Sequence, residues 1–196
     1  MNINLIGYCF IALLIIICIK IYKESESFHL TCVISDVDGR KYCVRDRKHI
    51  ALAADRLANV NVKMNKLVKH CNAKYPSNEN VKRMYNGYNP KKIHETLPTS
   101  EYTAYSQNKG EKIAFCLNKE KTSDNLIDPN TLTFVAIHEL AHIATKGYGH
   151  TDEFWENCKF LLGEAGDIGI YEQTDYSKNP VRYCGTDVSD NPYFDK

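Results

Sequence analysis

Residues 131–147 read TLTFVAIHELAHIATKG. Their apolar members (Leu132, Phe134, Val135, Ile137, Leu140, Ile143) fall on all sides of a helix rather than along one stripe. A helix with so little polar face has to lie inside a fold, with the other elements wrapped around it. Asp128-Pro129 marks its start: the aspartate can accept from the free amides of the first turn, and proline is tolerated there because it needs no amide partner. The same helix carries His138-Glu139-Leu140-Ala141-His142. Two imidazoles and a carboxylate thus enter an apolar interior, where unpaired polar groups are costly and need a reason to be present.

Spacing supplies that reason. Histidines at i and i+4 project from one face about one turn apart, so both rings can reach a single zinc ion. Glu139 is rotated off their axis and reaches the water rather than the metal, as a base would. The alternative, a pair of surface histidines beside a solvated glutamate, requires a polar face that this helix lacks. Zinc in a catalytic site takes a third protein ligand and keeps a fourth position open. His150 is the leading candidate: the helix should end at Gly147 or Gly149, and a reversal there returns His150 to the metal side. Glu164 on the next helix is its rival, with Asp152 behind. Thr151 is expected to cap that helix, with Asp152 and Glu153 in its first turn.

The segment HELAHIATKGYGHTDEFW resembles the active-site region of the WLM and SprT-like zinc metallopeptidases. His138, Glu139, His142, His150, Phe154 and Trp155 are the matching positions, and the likeness covers about residues 131–163. The chain is also similar to small membrane-anchored HELAH proteins encoded by large DNA viruses. The resemblance implies a zincin-like α+β domain, one Zn²⁺ per chain on His138, His142 and His150, and peptide-bond hydrolysis with Glu139 as general base. It implies a protein or peptide substrate. A zincin-fold interaction protein without turnover is the alternative, disfavoured by the intact HELAH.

From residue 5 to 19 there is no charge, and Lys20 interrupts a flanking apolar stretch that runs to Tyr22. Residues 1–22 are therefore expected to form a transmembrane anchor. A cleaved signal peptide would need a basic leader and an Ala-x-Ala site, both missing. Lys20 and Lys23 lie on the C-terminal side, which places the main domain in the cytosol. A polar linker (23–28) and a single domain (29–196) complete the division. With 25 Lys+Arg against 24 Asp+Glu, nucleic acid is not expected as the main partner.

Within the domain, strands at 29–36 and 41–45 flank an Asp38-Gly39 hairpin turn. A long amphipathic helix spans 47–75 and stops at Pro76. A second hairpin covers 101–117, and its residues 113–117 are the candidate edge strand for an extended substrate, with a fully paired central strand as the alternative. His94 reads as a surface residue. Cys71, Cys116 and Cys158 fall where buried free thiols would, and Cys184 reads as a packing residue. Three disulfides in an oxidising compartment are the competing arrangement for the six cysteines outside the N-terminal stretch. The oxyanion donor is open among Tyr148, Tyr171, Tyr176 and His94. The tail after Gly163 is expected to form an ordered, loop-rich wrap.

Overall fold

The computed structural model describes residues 5–24 and 30–195. Its architecture is α+β, as expected: five helices and a mixed five-stranded sheet, with a small hairpin near the C-terminus. The sheet strands are β1 (Leu30–Ile34), β2 (Lys41–Arg45), β3 (Ile93–Glu95), β4 (Ala104–Gln107) and β5 (Lys112–Phe115). The helices are α1 (Leu5–Glu24), α2 (Ile50–Lys74), α3 (Glu79–Gly87), α4 (Pro129–Ala144) and α5 (Asp152–Asp167), and β6 (Val181–Tyr183) pairs with β7 (Thr186–Val188).

The N-terminal expectation is corrected. Among the described residues no helix is long and apolar enough to cross a membrane. The anchor at 1–22 and the single-pass placement built on it are therefore withdrawn. The physical reason is length: the uncharged run ends at Lys20, and residues 5–19 as a helix rise only about 22 Å, against a hydrocarbon core of ~30 Å. Helix α1 continues to Glu24, and the rest of the expected linker lies outside the described residues.

Strand order is β1-β2-β3-β5-β4, with β2/β3 and β3/β5 parallel and the two outer pairs antiparallel. This overturns one expectation. Strand β5 is paired on both sides, and among the described residues β4 is the edge. Hairpin logic identifies the 101–117 pair, but the parallel crossover that seats β3 beside β5 has no local signature. The first turn also differs: Gly39 alone is left-handed (φ 68°), and Ser35 N donates to Arg40 O across a longer loop in place of a two-residue turn.

Helix α2 packs on β1, β2 and β3, while α4 touches β4, α2, α3 and α5. Ala54, Leu57, Met64, Leu67 and Cys71 of α2 are buried at helical spacing, which is the face its sequence pattern marks. Glu95 of β3 is fully buried and pairs with Arg47 and Arg45, and Arg45 also donates to Thr96 O (2.7 Å). The paired charges lock β2 to β3, so that neither is left unpartnered in the interior.

Two disulfides form, Cys32–Cys43 and Cys116–Cys184, while Cys71 and Cys158 stay buried and free. The reading of Cys116 as a free thiol and of Cys184 as mere packing is corrected: their sequence separation of 68 hides a proximity created by the return of the C-terminal chain. His94 is buried at 7% exposure, not on the surface, because β3 is an interior strand.

Candidate metal centre

Helix α4 forms where the sequence puts it. Asp128 accepts from Asn130 N (3.0 Å) and Thr131 N (2.8 Å), and Pro129 occupies the first turn. Twelve of its sixteen residues are buried, so packing fixes the helix axis and the direction in which His138 and His142 point.

The helix stops at Ala144, and the reversal that follows is held by named contacts. Thr145 Oγ1 donates to Ala141 O (2.8 Å) and accepts from Asn157 Nδ2 of α5 (3.0 Å). Gly149, in the left-handed region at φ 79°, turns the chain toward His150. Thr151 then caps α5 by accepting from Phe154 N (3.3 Å).

Lys109 clasps this turn from the other side. Its Nζ donates to His142 O (3.1 Å), Thr145 O (2.8 Å) and Gly147 O, which satisfies carbonyls left open at the helix end. Reaching them requires a left-handed backbone at Lys109 (φ 54°) and a close approach of Gly110 to Gly87, where a Cβ on Gly110 would lie 2.5 Å from Gly87 O. A lysine is strained in that region, and the strain sits directly beside the histidine turn.

Together these elements bring His138, His142 and His150 into one cluster. One ring nitrogen from each lies within 4.8 Å of the others. The Nε2 atoms of His138 and His150 are 3.0 Å apart. Burial, with a smaller contribution from the neighbouring imidazoles, lowers His138 to about 3 and His142 to about 4. Both rings are thus neutral near pH 7, the form that ligates a metal. Phe154 is fully buried and its ring lies 4.8, 4.3 and 4.7 Å from the three imidazoles, while Trp155 stacks on His150. Three imidazoles converging beside Phe154 and Trp155 match the donor set of a catalytic zinc site.

Glu139 is 4% exposed beside the cluster, and burial pushes its carboxyl up to about 8. Glu164, the rival ligand, points elsewhere: it accepts from Tyr75 OH (2.6 Å) and Lys74 Nζ (3.0 Å) and pairs with His70 Nε2 (2.7 Å). Asp152 is exposed in the first turn of α5 and stands outside the cluster.

The histidines lie in a cleft of about 620 Å³ lined by the edge strand (residues 103–106), by α4 and by the β6–β7 segment. Of the four oxyanion candidates, only Tyr148 lines it, and its ring is 85% exposed at the rim. Tyr171 and Tyr176 instead pack on Phe134 in the core, and His94 lies edge-on to Tyr105 on the sheet. The residue missed from sequence is Tyr183, which is buried in the cleft wall with its hydroxyl donating to Thr103 O (3.3 Å). Burial, then the nearby Glu139 charge, raises its phenol pKa. Its neighbour Cys184 was the available signal, had its partner been known.

No family model matches the chain, and no solved structure does. It is similar to uncharacterized protein R325 of Acanthamoeba polyphaga mimivirus, at 29% identity over 188 residues, spanning 92% of this chain and 94% of that protein. Shorter similarities link it to uncharacterized protein 136R of Invertebrate iridescent virus 6 (39% over 75 residues; 37% of this chain, 40% of that one). Uncharacterized protein 042R of Invertebrate iridescent virus 3 is 38% identical over 82 residues, covering 41% of this chain and 48% of that one. The similarity to R325 runs over nearly the full length of both chains, and none of the three names carries an activity.

Proposed function

We propose that the chain is a zinc-dependent endopeptidase of the WLM and SprT-like kind, acting on protein or peptide substrates. The observation that carries this reading is the convergence of His138, His142 and His150 at the floor of a cleft that also holds Glu139 and an open sheet edge.

His138, His142 and His150 would hold one Zn²⁺, which when bound lowers the pKa of water and polarises a carbonyl. The remaining chemistry belongs to the chain. Among the described residues strand β4 pairs with β5 alone, so an extended peptide can add to its outer side through main-chain hydrogen bonds, which confer affinity with little demand on sequence. Glu139 takes the proton of the attacking water and hands it to the nitrogen of the departing amine. The Tyr183 hydroxyl lines the cleft and, released from Thr103 O, can donate to the developing oxyanion. Phe154 packs against all three imidazoles and Trp155 stacks on His150, which holds the rings in place.

Cleavage of an unstructured protein substrate by the full chain, abolished by a chelator and restored by stoichiometric zinc, tests this reading. A chain that holds one zinc and cleaves nothing would overturn it.

A further inference from the structure

A second hollow, of about 450 Å³, opens on the sheet face turned away from α2. Side chains alternate along a strand. On β2 the buried Tyr42 and Val44 take the α2 side, where Asn61 donates to the Tyr42 hydroxyl (2.7 Å), which leaves Lys41 and Cys43 on the other. Cys32 of β1 stands directly opposite Cys43, and His94 of β3 is the register partner of Cys43 on its other flank. Lys91 and Lys92, just before β3, and Lys112, at the start of β5, complete the lining.

The hollow thus joins a disulfide to an excess of positive charge. Four lysines line it, and among the described residues no Asp or Glu does. The whole chain is almost electroneutral, with 25 Lys+Arg against 24 Asp+Glu, so this concentration is local. The disulfide is accessible: Cys32 is exposed and Cys43 half-buried. In the other crosslink Cys116 is 0% and Cys184 1% exposed. Access and the charge around the sulfurs govern exchange with a thiolate. Clustered cations draw an anionic reactant in and stabilise the thiolate that leaves.

We propose that Cys32–Cys43 is a site of thiol–disulfide exchange with small anionic thiols, which the lysines recruit into the hollow. The reactant's thiolate attacks Sγ of the exposed Cys32. The Cys32–Cys43 bond breaks, and Cys43 leaves as a thiolate on the strand face it shares with Lys41. The product is a mixed disulfide on Cys32. A second thiolate attacks the incoming sulfur of that adduct and releases Cys32 as a thiolate. Two reactant thiols are thereby oxidised to their disulfide while that of the protein is reduced. This hollow shares no lining residue with the histidine cleft, and exchange at Cys32 requires neither a metal nor peptidase activity.

The oxidised full chain is incubated at low ionic strength with glutathione, mercaptoethanol and cysteamine, which are anionic, neutral and cationic near neutral pH. Each rate is divided by that of the same thiol on a small uncharged disulfide, which removes differences in nucleophilicity. Peptide mapping of quenched samples locates the adduct. A charged cleft raises association rates by roughly 10- to 10³-fold, so glutathione should lead cysteamine by at least about tenfold. The adduct should sit on Cys32 with Cys116–Cys184 intact, and high salt should erase the lead. Lys41→Glu combined with Lys91→Glu should abolish it as well, and the salt series tests the same claim without a variant. Equal normalised rates for the three thiols, or a lead that survives salt or charge reversal, would overturn the proposal. So would first attack at Cys116–Cys184, or a Cys32–Cys43 bond that stays closed in the folded chain under excess thiol.

Discussion

Glu139→Gln is expected to abolish turnover while making the metal-free protein more stable. General acid–base catalysis contributes roughly 10²- to 10⁴-fold, and glutamine keeps the shape of the side chain but accepts no proton, so kcat should fall by that factor with zinc content unchanged. Stability should move the other way. In the unfolded chain a glutamate ionises near ~4.3, whereas burial raises Glu139 to about 8 in the fold. Below both values the carboxyl is protonated in either state and nothing is lost. As pH rises between them, the unfolded chain releases a proton that the folded one keeps, and the fold is progressively destabilised until about pH 8. Denaturant unfolding of chelator-treated parent and variant should therefore coincide near pH 4 and diverge toward pH 8, with the variant the more stable. Activity retained in the variant, or a variant less stable at every pH, would remove Glu139 from the role of buried base.

The second large effect is expected at the Cys116–Cys184 crosslink. Opening a loop of 68 residues restores chain entropy to the unfolded state worth about 4 kcal/mol, against about 3 kcal/mol for the 11-residue separation of Cys32–Cys43. Cys184→Ser should accordingly lower stability more than Cys32→Ser. The two variants should also differ in function. Cys184 follows Tyr183 directly and fixes the hairpin that carries Val188, so its loss should lower kcat/KM even at temperatures where the variant is folded. Cys32–Cys43 joins β1 to β2, and its loss should leave the kinetics of the folded protein unchanged. Equal stability losses with equal kinetics would show that the hairpin does not depend on the crosslink. The comparison needs only unfolding curves and initial rates on oxidised protein.

What could be read from sequence divides by range. The helix α4, its Asp128-Pro129 start, the Thr151 cap and the spacing that brings His150 back to His138 and His142 are all set within about twenty residues of chain, and each has a local chemical cause. The buried face of α2 was legible for the same reason. Features decided by distant partners were not. Strand β5 looks like an edge until β3 is placed beside it, Cys116 looks like a thiol until the tail returns with Cys184, and His94 looks exposed until its strand is seen inside the sheet. Glu164 was a reasonable ligand by residue type, but Lys74, Tyr75 and His70 of α2 and its C-terminal end claim it first. Tyr183 is not legible because the partner of its neighbour Cys184 lies 68 residues away in sequence. The N-terminal run failed on a count of residues, with Lys20 ending it a turn or more early.

Whether His138, His142 and His150 hold a zinc ion is decided by metal content. Zinc per chain should be measured on the never-chelated full chain and on His150→Ala under the same preparation. Close to one zinc is expected in the parent and a clear loss in the variant, since His150 supplies the third nitrogen of the cluster. Zinc held equally by both proteins, or a folded parent that carries none, would contradict it.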